Sequence, residues 1–392
     1  MKKQAAAAVL LCTLSAYALP AHAETAVAGD SSEALASATS ATSASVADAS
    51  SAVSAAAATY RDDSSLTLAE AIQLGIENSY SLQQALNTYK RNGISLEDAA
   101  DNLEYIPTDG SGNSEAVSAW KSYTQSNLSY VAASKNIDTV KQQIAYSMVQ
   151  TYYKVLSAES SVEEAKESLA IARSEEQAAA AKAEKGKISV SDNKSVVQAR
   201  IEAEQALATA QSALAQERES LNHAIGAETD TVYNLTDRPV YTPLQAPDLE
   251  AYTQKIISED PTIWEKEQNV GSAKLDLKFF SYNSDGDLEL TEMSVDEANQ
   301  ALTQSKKELA ESISSTYYNL QNLHDQYEQQ QTTLVTAQDA LKLAEKKYAR
   351  GLITRLEVKK AEQSVNQAQR KLDDLVLQID EAQRVLDQPW IS

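Results

Sequence analysis

The sequence predicts an all-α fold: long antiparallel coiled-coil hairpins in two tandem repeats, with at most a short vestigial β-hairpin in each. Three observations predict it. Glycine (10), proline (7) and aromatic residues (6%) are scarce in 392 residues, while Ala, Gln, Glu, Lys, Leu and Ser dominate, a composition of long helices rather than of a compact enzyme. No proline lies between Pro107 and Pro239 or between Pro261 and Pro389, so no proline breaks a helix there. Within the second of these stretches Leu309, Ile313, Thr316, Leu320, Leu323, Tyr327, Gln330, Leu334, Ala337, Leu341, Ala344 and Tyr348 alternate by four and three. Val358, Ala361, Val365, Ala368, Leu372, Leu375, Ile379, Ala382 and Leu386 continue the pattern. That is a heptad seam on two successive helices.

Taken in order, residues 1–23 read as a secretory signal. Lys2 and Lys3 form the basic start, Ala5 to Ala18 the apolar core, and Ala21-His22-Ala23 a small-x-small cleavage site. Leu11 precedes Cys12 where a lipidation signal wants a small residue, and no cysteine follows Cys12, so disulfides and thiol chemistry are excluded from the mature chain. The formal charge is −22; losing Lys2 and Lys3 with no acid leaves 32 basic against 56 acidic residues, a charge of −24. Residues 24–63, mostly Ala, Ser and Thr, read as a disordered tether.

A helix is expected from Leu66-Thr67-Leu68-Ala69-Glu70-Ala71-Ile72 through Ile76, Leu82 and Ala85 to about Tyr105, followed by a loop at Pro107-Thr108-Asp109-Gly110-Ser111-Gly112-Asn113. The first repeat spans 64–226, a proline-bearing linker 227–248, and the second repeat 249–390. Shifting by 165 residues brings Thr151-Tyr152-Tyr153 onto Thr316-Tyr317-Tyr318, Leu169 onto Leu334, Gly186 onto Gly351, Leu207 onto Leu372 and Leu221 onto Leu386. Upstream the shift becomes 181, setting Ile76 on Ile257 and Leu82 on Ile263. Each unit is a short helix, a connector, a long helix, a glycine turn and a second long helix.

The two glycine turns are the focus of the chain. Gly186 and Gly351 are placed to end a helix in the left-handed conformation. Ser189 with Asp192, and Thr354 with Glu357, have the spacing of a capping box that starts the next helix. Two helices joined by so tight a turn lie antiparallel. Many seam positions are Ala, Thr or Gln, which bury little area, so such a hairpin needs neighbours.

Catalytic and cofactor chemistry finds no anchor. Only His223 and His324 lie beyond the leader, and no zinc pattern, Gly-rich phosphate loop or nucleophile elbow occurs. No cofactor, no metal and no enzyme activity is expected. The acidic balance argues against nucleic acid. The Tyr-Tyr pairs at 152–153 and 317–318 read as inter-helix packing.

This order of motifs resembles the TolC family of outer-membrane efflux proteins. Leu66 to Ile72 followed by Glu77-Asn78-Ser79-Tyr80-Ser81-Leu82 looks like that family's opening motif, with Tyr80 in place of the usual proline, which the second copy keeps as Pro261. The resemblance implies a homotrimer whose twelve helical rods form a hollow duct that docks a periplasmic adaptor protein and receives substrate from an inner-membrane pump. It places Gly186, Ile188, Ser189, Gly351, Leu352, Ile353 and Thr354 at the adaptor-docking tip, and Asp192 and Glu357 near the entrance, as acidic rings or as plain helix caps. The family puts two membrane-crossing strands in each connector, each strand needing about 9–11 alternating residues. Here the connector at 106–130 is polar, with only Tyr123, Leu128 and Tyr130 hinting at a strand. Leu275, Leu277 and Phe279, a turn at Asn283-Ser284-Asp285-Gly286, then Leu288 and Leu290 suggest a small hairpin too short and acidic to span lipid. A lost or vestigial barrel is therefore expected. Two readings follow: an exported duct component of an efflux or secretion system, favoured by the two matching tips, and a structural or adhesive coiled-coil envelope protein without conduction, favoured by the missing strands.

Overall fold

The computed structural model describes residues 65–107, 114–244, 248–280 and 287–391. The signal and the tether expected at 1–63 lie outside the described residues, as does the Asn283–Gly286 turn. The first repeat contains α1 (Leu68–Glu77), α2 (Tyr80–Asp101), α3 (Ser114–Glu184) and α4 (Val190–Ile225). The second contains α5 (Leu249–Glu259), α6 (Pro261–Lys278), α7 (Leu288–Ala349) and α8 (Arg355–Asp387). Leu68 and Leu249 open α1 and α5, and Tyr80 and Pro261 open α2 and α6, both pairs 181 residues apart. Val190 and Arg355, 165 apart, open α4 and α8. The repeat read in the sequence is thus a repeat of element boundaries.

The boundaries follow from caps. Thr67 and Glu70 close a capping box on α1, the Glu70 N–H reaching Thr67 Oγ1 at 3.2 Å and the Thr67 N–H reaching Glu70 Oε2 at 3.1 Å. The single helix expected from Leu66 to Tyr105 is two. Ser79 takes an extended backbone and caps Leu82, and the Asn78 amide reaches the Leu74 and Ile225 carbonyls at 2.9 and 2.7 Å. Asp260 and Pro261 make the same break before α6, with proline at the first helical position where its missing N–H costs nothing.

The long helices set the shape. At 1.5 Å per residue the 71 residues of α3 extend about 105 Å and the 62 of α7 about 93 Å. One half of α3 packs along α4 and α8, and the other half along α2 and α6; α7 packs along α8 in one half and α6 in the other. Each repeat has its own apolar core near mid-length. The first gathers Leu66, Ala71, Met148, Val149, Tyr152, Val155, Leu156, Leu221 and Ile225. The second gathers Ile256, Ile313, Leu320, Leu323, Ile379 and Leu386. Met148 and Ile313, Val155 and Leu320, and Leu221 and Leu386 are repeat-related pairs, all buried.

The linker is a strap across these cores. Asn222 holds it by donating to the Thr229 and Thr231 carbonyls at 2.9 and 2.8 Å. Asn234–Leu235 forms β2, alongside β1 (Ser65–Leu66), and the Thr236 N–H donates to the Leu66 carbonyl. The Tyr152 hydroxyl donates to the same carbonyl at 3.1 Å and accepts from the Asp237 N–H at 3.0 Å. On the second repeat Tyr241 stacks on Tyr327 with ring centroids 3.8 Å apart and meets His324 Nδ1 at 3.0 Å.

The small β-hairpin expected in the second connector is replaced by helix. Leu275 and Leu277 lie in α6, and Leu288 and Leu290 lie in α7. Tyr123, Leu128 and Tyr130 lie in α3; Tyr123 is buried and Tyr130 stacks on Tyr89 of α2 and shares a hydrogen bond with it. Alternation over three residues did not outweigh the helical contacts these side chains make. Among the described residues the only strands are β1 and β2. Two crossing strands need about 20 residues, and the gaps between helices at 102–113 and 279–287 are shorter than that. Among the described residues, no helix is long and apolar enough to cross a membrane.

Candidate functional site: the paired hairpin tips

Both glycine turns have the geometry their sequence foretold. Gly186 and Gly351 have φ of 65° and 70°. The Gly186 N–H donates to the Ala183 carbonyl and the Lys187 N–H to the Lys182 carbonyl, each at 2.9 Å. Gly351 and Leu352 repeat this onto Tyr348 at 2.8 Å and Lys347 at 2.9 Å. These are two Schellman motifs, which satisfy helix-end carbonyls and reverse the chain. Two residues later the next helix is capped. The Asp192 N–H donates to Ser189 Oγ at 3.0 Å, and the Ser189 N–H to Asp192 Oδ2 at 3.4 Å. In the second copy the Thr354 N–H donates to Glu357 Oε2 at 2.7 Å and the Glu357 N–H to Thr354 Oγ1 at 3.4 Å.

The packing of α3 on α8 brings the tips to one end. Lys360 pairs with Glu175, Gln367 reaches Glu164 at 3.0 Å, and the Tyr153 hydroxyl donates to Asp380 at 2.7 Å. Numbers rise on α8 as they fall on α3, so the helices are antiparallel. α3 therefore ends where α8 begins. Arg370 fixes the register with a two-pronged bridge to Glu167 at 2.6 and 3.3 Å.

Every expected tip residue lies on the surface or at its edge. Gly186, Ser189, Gly351, Leu352 and Thr354 are exposed, and Ile188 and Ile353 are half-buried. A Cβ added at Gly186 or Gly351 would meet nothing within 4 Å. Leu352 is 68% exposed, and beside the other turn Val190 is 76% exposed. Each tip thus offers an apolar residue to solvent.

Asp192 and Glu357 are both exposed caps. Hydrogen bonds from the Thr354 backbone and hydroxyl hold the Glu357 carboxyl below the usual range, helped by Lys360 and Lys347. What the search for entrance acids missed is the surrounding cations. Residues 182–194 hold Lys182, Lys185, Lys187 and Lys194 against Glu184 and Asp192. Residues 346–360 hold Lys346, Lys347, Arg350, Arg355, Lys359 and Lys360 against Glu357 alone. On a chain of charge −22 both tips are basic islands. A count of lysines around the glycines would have found them.

The tyrosine pairs divide. Tyr152 and Tyr153 are buried, and burial with the hydrogen bond to Asp380 pushes the Tyr153 hydroxyl up in pKa. Tyr317 packs against the second core, while Tyr318 is 62% exposed. Among the described residues no group of three or more His, Cys, Asp or Glu is placed to hold a metal ion.

Residues 261–390, from the first residue of α6 to the end of the second repeat, match the family model of outer membrane efflux proteins. No curated protein matches the chain in sequence. Solved channels match the fold. The Campylobacter jejuni CmeC outer membrane channel superposes with a TM-score of 0.63 at 12% identity, over 83% of this chain and 85% of that one. The Vibrio cholerae outer membrane protein VceC gives 0.59 at 16% identity, over 82% and 96%. CusC, described with its transmembrane channel formation, gives 0.59 at 15%, over 83% and 92%. The chain thus has the helical fold of these solved outer membrane channels over about four-fifths of its length, and residues 261–390 in its second repeat match the outer membrane efflux protein model.

Proposed function

We propose that this chain is the helical duct of an exported efflux or secretion system, working as a homotrimer that docks an adaptor protein through its two tips. The observation that carries this reading is the open row of helices. In the tip half α4, α3, α8 and α7 pack in that order, so α4 and α7 are edges. Tyr318 and Leu343 are exposed on α7, on the face turned away from its buried seam of Ile313, Leu320 and Leu334. The outward face of α4 mixes small and polar side chains, with Ala199, Ala206, Thr209 and Ala213 exposed beside Glu202 and Gln216. Small residues there leave room for the aromatic side chain of the other edge, and a heterologous contact of that kind closes into a ring. Three copies give twelve long helical segments around a lumen.

The basic tips and their exposed Val190 and Leu352 suit an adaptor with an acidic, apolar-lined end. The cell envelope is the place for such a duct. Tyr318→Glu puts a charge into the proposed seam; the wild type should be a trimer and the variant a folded monomer. An unchanged oligomer in the variant, or a wild-type monomer, contradicts this arrangement. The short gaps between helices at 102–113 and 279–287, where the family has its barrel, favour a second reading as an envelope scaffold. An adaptor bound by the wild type and lost on Leu352→Asp with Val190→Asp would decide for the duct.

A further inference from the structure

The strap tells the two faces of the helical layer apart, and from the face opposite it we infer that the duct carries anions: carboxylate-bearing solutes or acidic polypeptides. The inference rests on the duct reading and adds the cargo to it. In the tip half the strap lies over one face only. There Arg238 and Pro239 border a groove of about 840 Å³ lined also by Leu156 and Glu163 of α3, Ala215 of α4 and Asp373 of α8, and Tyr241 meets His324 of α7. Three straps inside a ring would obstruct its bore at mid-length. The strap face is therefore the outer one, and the opposite face lines the lumen.

A position two or nine residues from a strap-side residue lies about 160–180° round the helix from it. Lys154 stands so to Leu156 and Glu163, and Ser161 to Glu163. Lys371 and Ser364 stand so to Asp373, and Gln326 and Thr333 to His324. All six are exposed. At seven-residue steps Asn319 and Lys347 extend the row on α7 and Gln378 the row on α8, exposed as well. Amides, hydroxyls and lysines thus make up this face.

The acids that turn to it are engaged or sunk. Glu175 pairs with Lys360, and Glu357 is held in the Thr354 cap. Glu217, two residues from Ala215, and Glu381 are half-buried. Burial and Asp380 raise the Glu381 carboxyl in pKa, and Lys154 counters them. Exposed Glu163, Glu328, Glu362 and Asp373 lie on the strap face instead, where Glu163 pairs with Lys166. The mouth has the sign of the lumen. Lys185, Lys187, Arg350 and Arg355, at the two turns, are exposed and form no ion pair among the described residues. A cationic mouth steers anions in and turns cations away. A wall of lysines, amides and hydroxyls then offers carboxylates hydrogen-bond donors without an exposed acid to repel them.

The test titrates the full mature chain with a labelled Glu/Ser peptide and, separately, a Lys/Ser peptide, read by fluorescence anisotropy at low salt, on samples whose mass is measured by light scattering. The expected result is a trimer that binds the Glu/Ser peptide and not the Lys/Ser one. Lys154→Gln/Lys371→Gln should weaken that binding by roughly tenfold. Lys166→Gln/Lys342→Gln, on the strap face and with the same loss of charge, should leave it unchanged. All four lysines are exposed, so circular dichroism melts of the variants should coincide. Displacement of the Glu/Ser peptide by citrate assigns the lumen to small carboxylates, and its persistence assigns the lumen to polypeptides. A trimer that binds neither peptide, prefers the Lys/Ser one, or responds to both double variants alike overturns the inference and leaves the duct standing. A monomer removes the duct, and the lumen with it.

Discussion

Gly351 and Gly226 show how one residue's cost depends on what surrounds it. Both have a left-handed backbone, φ 70° and 72°. A Cβ at Gly351 would meet nothing, while one at Gly226 would lie 2.6 Å from the Asn78 side chain that holds the Ile225 carbonyl. Gly351→Ala should therefore cost only the backbone term, about 1–2 kcal/mol, and Gly226→Ala distinctly more, as urea melts of the two variants would measure. Thr354→Ala removes a cap and should cost about 1 kcal/mol at neutral pH. Glu357 is held below its ordinary value of 4.5 by Thr354, so its contribution is present above that value and is lost as pH falls through the depressed one. The penalty of Thr354→Ala should shrink as pH falls below the ordinary value of 4.5.

His324 is the mirror of this logic at higher pH. Burial lowers its pKa from 6.5, and Glu328 and Asp325 offset part of the effect. The neutral ring bonded to Tyr241 is the stable form, so the strap's anchorage is full above 6.5 and weakens as pH falls through the lowered value. An NMR titration should place the His324 midpoint below the ordinary value of 6.5, and His324→Phe should flatten the stability curve between about pH 5 and 7. The glycines and their caps were legible in the sequence because each motif is local, complete within about eight residues. The bond between His324 and Tyr241 was not, because it joins residues 83 apart through a linker whose path nothing local dictates.

At the scale of elements, the long helices and the repeat were legible from the heptad seam. Ile313, Leu320, Leu334, Val358, Ala368, Leu372, Ile379 and Leu386 of that seam are all buried. The α1–α2 break was not read, because Tyr80 replaces the proline that signals it at Pro261, and a serine cap alone is common inside helical patterns. The α3–α8 contact was illegible for a deeper reason. It is polar, made by Arg370 and Glu167, Gln363 and Ser168, and Lys360 and Glu175, and side chains of that kind look like any solvated helix face. Arg370 is 15% exposed there, so a double-mutant cycle with Glu167 should give a coupling of about 1 kcal/mol or more. The exposed Lys342–Asp339 pair should give close to none.

At the scale of the whole molecule, charge and geometry run together along the rod. One end carries lysines around paired glycine turns; at the other, Lys121 pairs with Asp276 and exposed Leu290 and Met293 lie near the start of α7. That the connectors are poor candidates for crossing strands was legible in their polar composition; the shortness of the gap at 102–113 was not, because Tyr123, Leu128 and Tyr130, read as connector, lie in α3. The replacement of the expected small hairpin by helix was not, because Leu275, Leu277, Leu288 and Leu290 fit either period over so few residues. The basic character of the tips was on the page as residues, yet attention to Asp192 and Glu357 as entrance acids hid the lysines around them.

The most direct test of the central claim, a helical ring that closes without a barrel, is the mass of the purified mature chain by light scattering in buffer free of detergent. A stable species of three chain masses, unchanged when detergent is added, is the predicted result. A monomer in both conditions, or a trimer that exists only in detergent, would contradict it.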